Sequence, residues 1–95
     1  MNCRIARRIR VSGRVQGVFF RDWTVEQARV LGLDGWVRNR ADGSVEAVIA
    51  GALETVAAMI DHVRQGSPAS RVDDVLVSDD VSGEALNGFE KRPTR

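Results

Sequence analysis

Apolar and polar residues alternate near the start of the chain. Ile5, Ile9 and Val11 share one parity, which predicts a strand from Ile5 to Val11 with one face turned inward. Arg7 falls on the same side, so the pattern is imperfect. The residues from Gly13 to Gly17 follow directly, and their glycines predict a loop.

Two later stretches have the three-to-four spacing of amphipathic helices. The first runs from Asp22 to Leu31, and Asp22 is expected to cap its start. Its inward face is predicted to consist of Phe20, Thr24, Ala28 and Leu31. The second helix carries an apolar stripe of Leu53, Val56, Ala57, Ile60 and Val63. Gly66-Ser67-Pro68 predicts its end.

Further strands are predicted between and after the helices. Gly35–Asn39 and Ser44–Ala50 flank Asp42-Gly43, a pair typical of hairpin turns because glycine accepts the positive φ that such turns need. Val72–Val77 predicts a fourth strand, and a short last strand is expected around Phe89.

The resulting order is β-α-β-β-α-β with a short terminal strand. It predicts an α+β fold of the ferredoxin-like, split βαβ kind, in which an antiparallel sheet carries both helices on one face. The chain has 95 residues, of which 43% are hydrophobic. We therefore expect one domain over residues 1–95 with one core. This fold supports many functions and does not name one.

Charge and cysteine content narrow the classes of function. The net charge is +1, yet no carboxylate precedes Asp22, whereas six arginines do. An arginine-rich segment of this kind can attract a small anion or a nucleic acid, or its side chains can simply keep a strand edge in solvent. With Cys3 and His62 each the sole residue of its type, we expect no internal disulfide, no zinc site and a solvated histidine. No apolar run reaches the roughly 20 residues of a membrane span, so we expect a cytoplasmic protein without membrane contact.

The segment Gly13-Arg14-Val15-Gln16-Gly17-Val18-Phe19-Phe20-Arg21 carries the candidate chemistry. A loop of this kind aims several backbone N–H groups at one point, and such a nest holds an anion. Arg21 adds a planar guanidinium that can hold two phosphoryl oxygens beside a predicted helix start. The segment lacks the Gly-Lys-Ser/Thr of a P-loop and the cysteine of a phosphatase loop. No serine or histidine constellation offers a carrier for a covalent phospho-enzyme.

Together with Gly35-Trp36-Val37-Arg38-Asn39-Arg40-Ala41-Asp42-Gly43-Ser44-Val45-Glu46, this segment resembles the signature of the acylphosphatases. The resemblance runs from about Ile5 to Phe89 and implies a monomeric hydrolase of carboxyl-phosphate anhydrides. It implies that Arg21 binds phosphate and that Asn39 orients the attacking water. The implied substrate-binding residues are Arg14, Val15, Gln16, Gly17, Val18, Phe19 and Phe20.

Some side chains of these two blocks are expected to have other roles. The side chains of Arg14 and Gln16 are expected in solvent and that of Phe20 in the core. The role of Phe19 stays open, and one option is that its ring lies beside the acyl group of the substrate. Ser44 belongs either to the water network of the site or to an ordinary hairpin. Trp23 and Trp36 are interpreted as packing or surface aromatics and not as a stacking platform.

The resemblance also implies a reaction without metal or cofactor. An acyl phosphate expels a carboxylate, whose conjugate acid has a pKa of about 4, so no general acid is needed. A site without acid, base or metal then suffices if it positions water and stabilises the transferred group.

Departures from the family pattern lie outside the two blocks. Ser67 separates the usual Gly-Pro after the second helix, and Lys91 takes the place of an apolar residue in the last strand.

Two other functions stay open. A nucleic-acid-binding module of the same topology would carry stacking aromatics on its two central strands, which have none here. A non-catalytic regulatory domain that binds phosphate or carbamoyl phosphate is opposed only by the Arg21 and Asn39 pair. The sequence does not name the physiological acyl group.

Overall fold

The computed structural model describes residues 4–95, and seven helices and strands follow one another along them. They are β1 (Arg4–Arg14), α1 (Phe20–Val30), β2 (Asp34–Asn39), β3 (Val45–Ala52), α2 (Leu53–Gln65), β4 (Arg71–Asp79) and β5 (Phe89–Lys91). The predicted order is confirmed, including the short last strand. Cys3, on which the expectation of no internal disulfide depends, lies outside the described residues.

One sheet contains all five strands in the order β4-β1-β3-β2-β5. The first four strands pair antiparallel, as predicted, but β5 lies parallel to β2 and makes the sheet mixed. The parallel pairing arises because the segment between Asp79 and Phe89 carries the chain from one edge of the sheet to the other. Helix α1 packs on β2 and β5, and α2 packs on β1, β3 and β4, which is the ferredoxin-like arrangement.

Strand β1 is longer than the sequence predicted. Gly13 and Arg14 belong to it, so the loop comprises residues 15–19 and not Gly13 to Gly17. A bulge at Asp73 of β4 lets the pairing continue past Ser12. Gly13 has a φ of 123°, and a Cβ there would lie 2.2 Å from the Arg71 carbonyl oxygen, so only glycine fits this close approach.

Both helices are confirmed, and the buried face of α1 contains Phe20, Thr24 and Ala28 as predicted, but the start of α1 and the face of α2 differ in detail. Helix α1 begins at Phe20, its N-cap is Phe19, and no side chain caps it, so the prediction of Asp22 as cap is wrong. In α2 the buried residues are Val56, Met59, Ile60 and Val63. This series follows one helical stripe, which leaves Ala57 on the flank and Leu53 51% exposed. Neither helix in this part of the chain is long and apolar enough to cross a membrane.

Candidate active site

The loop between β1 and α1 has a backbone that suits anion binding. Gly17 has a φ of 73° and Phe19 a φ of 61°, while Gln16, Val18 and Phe20 have negative φ values. This alternation of sign turns successive N–H groups toward one side, which is the geometry of a nest. The left-handed conformation of Phe19 costs about 1–2 kcal/mol because its Cβ approaches the following carbonyl.

Two buried side chains hold the strained loop in place. Val15 at its start is 1% exposed and Phe20 at its end is 2% exposed, and both belong to the core between sheet and helices. Phe19, between these anchors, is 81% exposed. The core therefore fixes the loop at both ends while its backbone faces outward.

The main-chain N–H groups of this loop and of the first turn of α1 are the candidate anion ligands. The first main-chain bond of the helix runs from the Trp23 N–H to the Phe19 carbonyl at 3.1 Å. For the N–H groups of residues 16–22 no protein acceptor exists among residues 4–95. Unpartnered donors at a helix start attract negative charge, because the helix dipole acts in the same direction.

The loop, α1 and β2 enclose a pocket of about 310 Å³. Its lining residues are Val15, Gly17, Phe19, Phe20, Arg21, Asp22, Asn39 and Lys91. Six of the nine site residues predicted from the sequence are among them. Arg14, Gln16 and Val18 do not line it, and Arg14 is exposed, as expected for its side chain. Arg21 is half-buried and makes no ion pair within the described part of the chain.

Asn39 is the last residue of β2, and its main chain is held by the tail of the protein. The Arg95 N–H donates to the Asn39 carbonyl at 3.0 Å, and the Ala41 N–H donates to the Arg95 carbonyl at 2.9 Å. The side-chain Oδ1 of Asn39 is buried and has no hydrogen-bond partner within residues 4–95. An acceptor buried in this way costs about 1–3 kcal/mol, and a donor brought by a ligand or by water would remove that cost.

Gln16 connects the loop to the hairpin after Asn39. Its Nε2 donates to the carbonyls of Arg40 and Ser44, each at 2.8 Å. The expectation that this side chain points into solvent is therefore wrong, because the carbonyls of the hairpin turn lie within its reach. The Ser44 hydroxyl donates to Asp42 at 2.6 Å within the hairpin, and this bond lowers the pKa of Asp42.

Sequence reasoning missed Asp22 and Lys91 as pocket residues. The Lys91 Nζ lies 2.8 Å from the Asp22 Oδ1, and this hydrogen bond lowers the pKa of Asp22. The sequence did mark Lys91 as unusual, because the family pattern has an apolar residue at this position. Its place in the pocket depends on a contact with a residue 69 positions away, which no local pattern reveals.

The face of the sheet opposite the helices offers no stacking platform. Trp36 is 3% exposed, and the guanidinium carbons of Arg38, Arg92 and Arg8 lie 4.6, 5.0 and 5.5 Å from its ring centroid. Trp23 packs on Phe20 at 5.4 Å between ring centroids. Both tryptophans are packing residues, as interpreted from the sequence.

A metal-binding cluster is also missing from the described part of the chain. No group of three or more His, Cys, Asp or Glu side chains there could hold a metal ion. His62 is exposed on α2, as expected.

Comparisons with known proteins agree on one family. The family model described as Acylphosphatase matches residues 7–91. An acylphosphatase of Rhizorhabdus wittichii is 65% identical over 91 residues, which cover 96% of this chain and 91% of that protein.

Two solved structures have the same fold over nearly the same length. The crystal structure of the acylphosphatase from Bacillus subtilis has a TM-score of 0.87 and 39% identity, and the match covers 93% of this chain and 98% of that one. An acylphosphatase from Coxiella burnetii has a TM-score of 0.88 and 34% identity, with 96% and 94% covered.

Proposed function

The chain belongs to the acylphosphatase family, and from this premise we propose how it hydrolyses the carboxyl-phosphate bond of acyl phosphates. The enzyme is an acylphosphatase, an acid-anhydride hydrolase whose substrate is a small acyl phosphate. In our proposal the loop N–H groups and Arg21 hold the phosphoryl group, and Asn39 positions the water.

The phosphoryl group is held by donors that are already in place. The N–H groups from Gln16 to Asp22 have no acceptor within residues 4–95, and the alternating φ signs of the loop are typical of a nest whose N–H groups point to one side. They need little reorganisation to accept a dianion, and the start of α1 adds its partial positive charge. Arg21 contributes two parallel N–H bonds to two phosphoryl oxygens.

The water is held by Asn39 on the other side of the pocket. Its buried Oδ1 accepts one O–H of the water, and this bond orients a lone pair of the water oxygen toward phosphorus. The new bond forms between the water oxygen and phosphorus, and the bond from phosphorus to the acyl oxygen breaks. The carboxylate leaves with that electron pair, and a water proton passes to a phosphate oxygen, so that the products are a carboxylate and H₂PO₄⁻.

One observation carries this proposal: Arg21 and Asn39 line the same pocket as Gly17 and Phe19, whose N–H groups have no acceptor within residues 4–95. Arg21 and Asn39 are 18 residues apart in sequence, and they line one pocket because α1 begins where β2 ends. A phosphate-binding domain without turnover has no need for a residue that positions water, so an asparagine whose Oδ1 has no partner within residues 4–95 favours catalysis over the regulatory alternative.

The experiment is hydrolysis of benzoyl phosphate in H₂¹⁸O. Our proposal requires the label in inorganic phosphate and none in benzoate, because water attacks phosphorus. Label in benzoate would mean attack at the carbonyl carbon and would contradict the role given to Asn39. Arg21→Ala serves as the control for spontaneous hydrolysis. Binding of phosphate without turnover would favour the regulatory alternative.

We further propose that the enzyme works as a cytoplasmic monomer without metal or cofactor and without nucleic acid or membrane partners. Light scattering at micromolar concentration tests the monomer, and a mass of twice 10.4 kDa would contradict it.

A further inference from the structure

The pocket contains one negative charge that the proposed chemistry does not use. Three of its lining residues are titratable, namely Arg21, Asp22 and Lys91. Asp22 lies in the first turn of α1, where a carboxylate is favourable for the helix because it faces the positive end of the dipole. The same position is unfavourable for a bound phosphoryl dianion, because two negative charges then compete for one helix start.

Lys91 faces Asp22 from the edge of the sheet. Its Nζ lies 2.8 Å from the Asp22 Oδ1, and both side chains stay about half-exposed, at 45% and 58%. Lys91 is the last residue of β5 and pairs with Val37 of β2, two residues before Asn39. The ion pair therefore joins the start of α1 to the strand beside the one that carries the water-positioning residue.

We propose that Lys91 neutralises Asp22 and thereby lets the pocket bind a phosphoryl dianion. Lys91 pairs with the Asp22 carboxylate, and without Lys91 that carboxylate would face the phosphoryl group unpaired. Lys91 acts through Asp22 and does not touch the substrate, so it is not a catalytic residue. This inference rests on the proposed function, since it assumes that the phosphoryl group binds in this pocket.

A double-mutant cycle separates this role from direct contact with the ligand. Lys91→Met keeps most of the side-chain stem and removes the charge, and Asp22→Asn removes the opposing charge. The probe is inorganic phosphate, whose Kd is measured by calorimetry beside the KM for benzoyl phosphate. We expect Lys91→Met to weaken phosphate binding by about threefold to tenfold, with kcat changed less than KM. In the Asp22→Asn background the same substitution should change the Kd by less than about twofold.

A matched control exists at the other end of β2. Arg4 and Asp34 form an ion pair of the same length, 2.8 Å, away from the pocket. Arg4→Met should leave the phosphate Kd unchanged while it shifts Tm about as much as Lys91→Met does. At 1 M salt, where charges are screened over about 3 Å, the effect of Lys91→Met on Kd should shrink to less than about twofold.

Three results would overturn the inference. An equal loss in both backgrounds means that Lys91 attracts the ligand itself, by contact or by its charge, and does not act through Asp22. A loss that persists in high salt and follows Tm means that Lys91 is structural, and no loss at all means that Asp22 does not affect the ligand. A wild-type protein that neither binds phosphate nor hydrolyses benzoyl phosphate would instead refute the proposed function, and the inference with it.

Discussion

The side-chain amide of Gln16 donates a hydrogen bond of 2.8 Å to the main-chain carbonyl of Ser44, across 28 residues of sequence. Together with the bond to the Arg40 carbonyl, it ties the loop between β1 and α1 to the hairpin that follows Asn39. In the proposed reaction, the relative position of loop and hairpin determines whether the phosphoryl group and the water are in line. Gln16 is thus a positioning residue for the proposed reaction.

Replacing Gln16 by alanine should reduce kcat more than it reduces stability. Both carbonyls keep a main-chain donor, from Arg40 and Gly43, so unfolding should become easier by only about 1–2 kcal/mol. We expect kcat for benzoyl phosphate to fall by on the order of tenfold or more, because small misplacements are costly in catalysis. Gln65→Ala, an exposed glutamine on α2, is the control. Unchanged kcat in Gln16→Ala would show that the loop needs no support from the hairpin.

The strained backbone at Phe19 predicts opposite effects for two substitutions. Glycine accepts a φ of 61° without a Cβ clash, so Phe19→Gly should gain up to about 1 kcal/mol after the entropy of the unfolded chain is counted. Phe19→Val should lose at least about 1 kcal/mol, because a β-branched residue suits this conformation poorly. Urea unfolding measures both. Equal losses in the two variants would mean that the exposed ring contributes packing after all.

On the face of the sheet opposite the helices, Glu46 is expected to contribute most to the stability of the protein. Burial raises the pKa of this carboxyl, but hydrogen bonds from Arg8 and Arg38 outweigh burial and leave the pKa below its ordinary value. Glu46→Gln should therefore lower the free energy of unfolding by on the order of 3 kcal/mol at pH 7, since Arg38 and Arg40 lose their carboxylate partner and Arg8 keeps only Asp80.

The pH dependence of that loss has a defined sign. A pKa that is lower in the folded protein means that the stabilisation by Glu46 is present above the unfolded value of about 4.3 and is lost as pH falls through the folded value. The difference between wild type and Glu46→Gln should therefore shrink below about pH 4. Glu26→Gln, an exposed carboxyl on α1, is the control. A difference that stays constant down to pH 3 would contradict the ionised network.

Activity is expected to survive exhaustive chelation. The described part of the chain offers no cluster of metal-ligating side chains, and the proposed mechanism assigns charge stabilisation to backbone N–H groups and Arg21. Benzoyl phosphate turnover before and after treatment with EDTA measures this. A loss of activity that one divalent ion restores would refute the metal-free mechanism.

The sequence predicted most of the fold because its signals were local. Alternating valines and isoleucines, the helical stripes and the Asp42-Gly43 turn each depend on residues within one element. The errors occurred where partners are distant in sequence. Strand β1 extends through Gly13 because β4 approaches it closely, and β5 lies parallel because of where the preceding segment crosses the sheet.

The candidate site was also predicted only where its signals are local in sequence. The two motifs predicted Arg21 and Asn39 as site residues, and both line one pocket. The side-chain bonds of Gln16 and the ion pair of Lys91 with Asp22 were missed, since each joins residues at least 24 positions apart. Long-range contacts of this kind leave no periodic signal in a single chain.

The most direct test of the account compares Arg21→Ala with Asn39→Ala in two measurements, kcat for benzoyl phosphate and Kd for inorganic phosphate. Arg21→Ala should weaken phosphate binding by roughly 1.5–3 kcal/mol and lose most activity, and Arg21→Lys should not restore it, because a point charge cannot span two oxygens.

Asn39→Ala should lower kcat by on the order of 10²-fold while Kd stays near the wild-type value and Tm does not fall, because its Oδ1 has no partner to lose within the described chain. We therefore expect an inactive variant that still binds phosphate. If Asn39→Ala weakens phosphate binding as much as Arg21→Ala does, the assignment of phosphate to Arg21 and of water to Asn39 is wrong.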